Sequence, residues 1–227
     1  MAVNSLFVKI CGITNMDDAL GCAKLGVDAI GFVFYEKSPR YITPGRAAEI
    51  IREINDHVRC FGVFVNLTPE KILRIRDSTG IHVAQLHGNE PPDWTQRLEK
   101  EALTVCKAFF ARKKPSFADL PRYSCSMALF ESGKHGYGGT GRIWNWGEVA
   151  EVGAGSEPAP TNKVHNTASV PIILAGGLTP DNVVEAVRSA RPDGIDLSSG
   201  VEKEPGKKDL EKVRLLLESL KELEKQK

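Results

Sequence analysis

The sequence predicts an α/β protein, a single-domain (β/α)8 TIM barrel spanning residues 1–227. Three observations lead there. Short apolar runs alternate with amphipathic stretches eight times along the chain. The runs are apolar at successive positions, as parallel strands covered on both faces are. The Gly, Cys, His, Arg and acidic residues able to carry chemistry fall just after the runs, where a barrel gathers its strand ends at one rim. A length of 227 residues suits such a barrel, which takes about 200–250. An open parallel sheet, the alternative, rarely needs eight βα units.

The strands are read as Leu6–Cys11, Ala29–Phe34, Cys60–Val65, Val83–Leu86, Thr104–Phe109, Ser126–Glu131, Pro171–Ala175 and Gly194–Leu197. Most are bounded by Gly, Pro, Asn or Ser, which punctuate strands. Asp17–Leu25 is a helix behind an Asn15 cap. Pro44–Asn55, Pro69–Ser78 and Pro180–Ala190 each open with Thr-Pro, a capping hydroxyl followed by a ring already set at the helical φ. Weaker helical patterns cover Pro92–Lys100, Ser116–Leu120 and Trp144–Val152, and Lys208–Lys225 is a long charged amphipathic helix. Residues 153–169 (GAGSEPAPTNKVHNTAS) exceed an ordinary αβ loop. They read as a mobile insertion between helix six and strand seven, on the face away from the chemistry.

Composition narrows the function. Net charge is +1, with 41% hydrophobic and 26% charged residues, so no one-sign field recruits nucleic acid or a membrane surface. The Arg112-Lys113-Lys114 run is short and reads as a solvated loop. The five cysteines are odd in number and never spaced as CxxC, which argues against a disulfide framework or a structural zinc. A reducing cytoplasm fits them. The N-terminus lacks signal-peptide character, and no apolar run approaches the ~20 residues of a membrane span.

Two glycine turns, Ala175-Gly176-Gly177 and Ser198-Ser199-Gly200, follow strands seven and eight. Barrels often bind phosphate with backbone N–H groups of these two loops, and glycine lets the backbone approach an anion. Either turn alone would be an ordinary tight turn. Together they point to a phosphorylated small molecule. Lys9 and Cys11 share a strand face opposite Val8 and Ile10, so they should face the barrel interior. A nearby ammonium favours thiolate, which would make Cys11 a base or nucleophile; a small thiol that merely packs fits the local pattern equally well. Glu131 ends strand six before a glycine-rich segment, a place suited to a general acid beneath a loop, or to a surface carboxylate before a turn. Arg40 could clamp a carboxylate, Asp196 could bond a hydroxyl or pair with Lys9, and His87 could wall a pocket or sit satisfied in the structure. The GxGxxG match at Gly136, Gly138 and Gly141 is not a dinucleotide site, since the acid it needs falls at Glu157 inside the insertion.

The ordered segments VKICGIT (Val8–Thr14), GFVFYEKSPRYITP (Gly31–Pro44), FGVFVN (Phe61–Asn66), QLHGNE (Gln85–Glu90), GGTGRIWNW (Gly138–Trp146), ILAGGLTPDNV (Ile173–Val183) and GIDLSSGVE (Gly194–Glu202) closely resemble the phosphoribosylanthranilate isomerase family of tryptophan biosynthesis. The resemblance implies Cys11 as general base and Arg40 near the anthranilate carboxylate. It implies His87 along the anthranilate, Asp196 on sugar hydroxyls, and Gly177, Ser199 and Gly200 around the phosphate. The family's general acid is an aspartate ending strand six; here the run is Leu129-Phe130-Glu131. Glutamate reaches about 1.5 Å further, and misplacement on that scale costs ~10²-fold in rate. The family's Phe-Asp-Trp is replaced by Trp144-Asn145-Trp146.

The implied reaction is an Amadori rearrangement of an amino-aldose phosphate to a ketose. It needs an acid, Glu131, and a base, Cys11, but no cofactor or metal, in a monomer or homodimer. A different phosphosugar isomerase would fail to rescue a tryptophan auxotroph. A non-catalytic barrel would bind product analogue without turnover.

Overall fold

The structure, a computed structural model, describes residues 6–54, 58–133, 145–149 and 170–225. Eight parallel strands close into a barrel: β1 (Phe7–Cys11), β2 (Ala29–Val33), β3 (Arg59–Phe64), β4 (Val83–Leu86), β5 (Thr104–Phe110), β6 (Met127–Glu131), β7 (Ile172–Ala175) and β8 (Gly194–Leu197). β1 closes the ring against β8, with Lys9 opposite Asp196. The GxGxxG segment, the 153–169 insertion and most of the expected 144–152 helix lie outside the described residues.

Strand parity divides the core. Residues such as Ile10, Ile30, Ala84, Val105 and Phe130 point outward to the helices. Ala29, Phe61, Val83, Cys106 and Leu129 fill the barrel itself. Each fully buried Ile, Leu or Phe contributes about 1.5–3 kcal/mol, so the two layers together fix the register of the ring.

The helices are α1 (Met16–Leu25), α2 (Pro44–Glu53), α3 (Pro69–Thr79), α4 (Pro92–Lys100), α5 (Val183–Ala190) and α6 (Leu210–Lys225). Asn15 caps α1 by accepting from the Asp18 N–H at 2.9 Å. Thr43 caps α2 the same way through Arg46 at 3.3 Å, whereas Thr68 precedes α3 without a side-chain cap bond. After β5 a 3-10 helix, Phe117–Arg122, stands where an α-helix is expected. Pro121 inside it and the Ser116–Asp119 capping box keep it to a tight turn.

Two expected boundaries are corrected. α5 starts at Val183, not Pro180. The Asn182 side chain accepts from Thr179 N–H and donates to the Gly177 carbonyl, which ties residues 177–182 into a turn of their own. α6 starts at Leu210, not Lys208, because Lys207–Lys208 pairs with Glu202–Glu204 as a short antiparallel hairpin, β10 on β9.

Candidate active site

The C-terminal strand ends surround one cavity of roughly 790 Å³, open to solvent. That volume falls within the ordinary range for small-molecule sites. Cys11, Arg40, His87, Glu131, Asp196, Gly177, Ser199 and Gly200 all line it. Eight residues drawn from six strand ends therefore meet at one mouth.

At its base, Lys9 is fully buried and its Nζ donates to Asp196 Oδ2 at 2.8 Å. Burial works against the ammonium, but Asp196 and then Cys11 outweigh it and the Lys9 pKa stands above its ordinary value. The opposite Asp196 oxygen, Oδ1, is buried and has no hydrogen-bond partner among the described residues. An unpaired buried acceptor at a cavity wall is an opening for a ligand hydroxyl. Gly31 of β2 lies beside this group, and a Cβ there would sit 2.8 Å from Cys11 Sγ and 3.1 Å from Lys9 Nζ. The missing side chain makes room for thiol and ammonium together.

The expectation that Lys9 makes Cys11 a ready thiolate is corrected. Burial pushes the Cys11 thiol above its ordinary value, Lys9 offsets this only in part, and Asp196 adds to the rise. The ammonium does favour the thiolate, but burial of the sulfur is the larger effect, and the carboxylate beside it adds to the rise.

On the far side of the ring, His87 Nε2 lies 2.9 Å from Glu131 Oε2. Gln85 Nε2 lies 3.1 Å from His87 Nδ1. The carboxyl of Glu131 is buried, which alone would raise its pKa; His87, with Lys113 and Lys9 behind it, reverses this and holds it below the usual carboxylate value. Gln85 Oε1 is buried without a partner among the described residues. Rotating that amide would present Oε1 to an Nδ1–H, so the residue can accommodate His87 with either one or two protons. His87 and Glu131 thus form a pair that can hold a transferable proton.

Arg40 does not stand alone in its loop. Its Nε and Nη2 donate to the two carboxylate oxygens of Glu202 at 2.9 and 2.7 Å. Glu202 also accepts from Lys208 Nζ at 2.7 Å and from Gly206 N–H at 3.2 Å. Arg40, Lys208 and these bonds keep Glu202 below the ordinary carboxylate range despite partial burial. The fork fixes one edge of the guanidinium and leaves the Nη1 edge outside it.

The glycine loops approach each other closely. A Cβ on Gly200 would overlap the Leu178 carbonyl oxygen at 1.8 Å, so only glycine fits. Gly176 and Gly177 both adopt left-handed backbone, φ 88 and 74. Among the described residues, the N–H groups of Gly177, Ser199 and Gly200 donate to no protein acceptor. Free N–H groups converging at a cavity rim make an anion cradle.

The sequence reading missed Gln85, Glu202 and Lys208. Gln85 was legible as a polar residue within an apolar strand, and Lys208 was hidden by its assignment to the last helix. Among the described residues, no group of three or more His, Cys, Asp or Glu could hold a metal ion. No described helix is long and apolar enough to cross a membrane.

A family model described as N-(5'phosphoribosyl)anthranilate (PRA) isomerase matches residues 8–219. An N-(5'-phosphoribosyl)anthranilate isomerase of Trichlorobacter lovleyi is 42% identical over 216 residues, covering 95% of this chain and 98% of the relative. The crystal structure of the phosphoribosyl anthranilate isomerase from Thermus thermophilus superposes with a TM-score of 0.82 at 34% identity, covering 96% of this chain and all of the other. A similar structure holds reduced 1-(o-carboxyphenylamino)-1-deoxyribulose 5-phosphate, at TM-score 0.76, 33% identity and coverage of 96% and 99%.

Proposed function

Because the chain belongs to the N-(5'-phosphoribosyl)anthranilate isomerase family and carries that isomerisation in tryptophan biosynthesis, we propose that the His87–Glu131 pair is its general acid and Cys11 its general base. The observation that carries the assignment is the division of the cavity. A thiol stands at the end of β1, and a carboxyl in contact with an imidazole stands at the end of β6, three strands away around the ring.

The substrate's phosphate sits on the N–H groups of Gly177, Ser199 and Gly200, which fixes the sugar at the rim. Asp196 Oδ1 accepts a sugar hydroxyl. The Nη1 edge of Arg40 meets the anthranilate carboxylate while Glu202 holds the rest of the guanidinium still. Remote contacts of this kind supply binding energy that aligns the reacting atoms.

A proton held by the His87–Glu131 pair is relayed from the imidazole through the Glu131 carboxylate to the furanose oxygen. The ring C–O bond breaks as the anilino nitrogen lone pair forms the C1=N iminium. Cys11 acts from its thiolate, its own proton having passed to solvent through the open cavity mouth; it takes the proton from C2, and the C2–H electron pair neutralises the iminium to give the enol amine, which tautomerises to the ketone. The new positive charge beside the thiol favours its thiolate at the step that needs it, which offsets the effect of burial. No electrons are gained or lost and no group leaves. Five unpaired cysteines suit a cytoplasmic setting.

The test follows loss of phosphoribosylanthranilate fluorescence. Cys11→Ser and Glu131→Gln should each lower kcat by about 10²-fold or more, in the range of lost acid–base catalysis. Both should retain affinity for reduced 1-(o-carboxyphenylamino)-1-deoxyribulose 5-phosphate. Near-wild-type turnover in either variant would remove that residue from its role.

A further inference from the structure

Among the described residues, a fully buried ion pair outside the cavity lies behind β4 and β5. Lys107, in the middle of β5, is fully buried. Its strand neighbours Val105 and Phe109 belong to the outer core, while Cys106 and Ala108 fill the barrel. Lys107 therefore points away from the cavity, toward the helix layer. Its ammonium has three donors and three acceptors: the Leu86 carbonyl at 3.1 Å, the Gly88 carbonyl at 2.8 Å and Glu90 Oε2 at 2.9 Å. Leu86 and Gly88 are the residues on either side of His87.

Glu90 completes the clamp. It is as buried as Lys107. Its Oε1 accepts from Asn66 N–H at 2.8 Å, and both its oxygens lie 3.0 Å from Gly88 N–H. The end of β3, the turn after β4 and the middle of β5 are thereby joined through one ion pair. A buried pair of this kind adds little net stability compared with an apolar replacement, because desolvation cancels most of the attraction. Its effect is geometric: the peptide groups flanking His87 are held on both sides, so the imidazole leaves the backbone at a fixed place and angle.

We propose that the Lys107–Glu90 pair is a positioning device that sets the His87–Glu131 contact, acting from behind the sheet without touching substrate. The inference rests on His87 and Glu131 being the acid pair. It adds two positioning residues whose effect passes through His87 alone.

The test is the double variant Lys107→Met/Glu90→Gln, measured with and without His87→Asn. The two changes leave no uncompensated charge, and the amide that replaces the Glu90 carboxylate keeps a carbonyl for the Asn66 and Gly88 N–H groups. With His87 present, kcat should fall about 10- to 100-fold, the cost of a misplacement near 1 Å. KM, and affinity for the reduced product analogue, should stay within about threefold, because the phosphate and carboxylate contacts are untouched. In the His87→Asn background the same two changes should alter kcat by less than about twofold, since residues acting in series are not additive. Wild-type kcat in the double variant, or effects that multiply with His87→Asn, would overturn the proposal. Glu90→Gln alone, which keeps Lys107, goes through the same cycle and decides the matter if the double variant does not fold. Activity surviving in Glu131→Gln would remove the acid assignment without altering what this cycle says about His87.

Discussion

Glu131→Asp is the change on which sequence and structure reason differently. Sequence comparison alone makes the glutamate an acid displaced by one methylene. In the structure that methylene is used: it brings Oε2 to 2.9 Å from His87 Nε2. Shortening the side chain withdraws the carboxyl by about 1.5 Å, which takes the contact beyond 4 Å and out of hydrogen-bonding range. The 2.9 Å approach is not aligned as a hydrogen bond in the structure; once aligned for proton transfer, a hydrogen bond to a charged group contributes about 1.5–3 kcal/mol. If that contact delivers the proton, its loss lowers kcat by about 10- to 150-fold. KM should change little, because Arg40, Asp196 and the glycine loops keep their places. The lost methylene itself costs about 0.8 kcal/mol of burial, too little to unfold a domain of this size. Steady-state fluorescence kinetics, with product-analogue binding as a check on pocket integrity, measure both quantities. Turnover equal to or faster than that of the parent chain would refute the reasoning, since it would mean the acid works without the imidazole.

Two further outcomes follow from the buried groups. Burial pushes Cys22, Cys60 and Cys125 up to about 12, and Cys11 is the cysteine that lines the cavity; iodoacetamide should therefore label Cys11 first, faster as pH rises from about 7 to 9 because its own pKa is raised. Reduced product analogue should protect it, and peptide mass mapping that found another cysteine modified first would contradict this. Lys9→Met leaves the Asp196 carboxyl buried without its ammonium, so denaturant unfolding should show a loss of about 3–5 kcal/mol, most of it recovered in Lys9→Met/Asp196→Asn; an unchanged midpoint in the single variant would show that the pair is not held as an ion pair.

Much of the barrel was legible because its signals are local. Doubly apolar strands, Asn15 and Thr43 caps and glycines after strands act within a few residues, and each appears close to where it was read. The convergence of Cys11, Arg40, His87, Glu131 and Asp196 was legible for a topological reason: parallel strands bring their C-terminal ends together whatever the loops do. What escaped depends on partners distant in the chain. Glu202 meets Arg40 across 162 positions. Sequence could offer Asp196 as a partner for Lys9, but not show that burial, with the Asp196 carboxylate added to it, would outweigh the ammonium and raise the Cys11 thiol. The start of α5 was missed because the Asn182 side chain competes for the backbone groups that Thr179-Pro180 would otherwise give to a helix.

Three buried lysines give the site a common plan. Lys9 pairs with Asp196, Lys107 with Glu90 and Lys208 with Glu202, each ammonium side chain fully buried. Each pair lies directly behind a residue assigned to substrate: Asp196 itself, His87 through its flanking peptides, and Arg40 through the Glu202 fork. An apolar barrel would be at least as stable with these six positions filled by hydrophobic side chains. Such a core would hold its strands but would remove Asp196 and leave His87 and Arg40 free to choose among rotamers, each choice costing the alignment on which acid–base transfer depends. Stability and positioning are therefore separable in this chain. Replacing both members of the Lys107–Glu90 pair should lower activity far more than it lowers the unfolding free energy, whereas emptying one outer-core position, such as Ile10→Ala, should reverse that order.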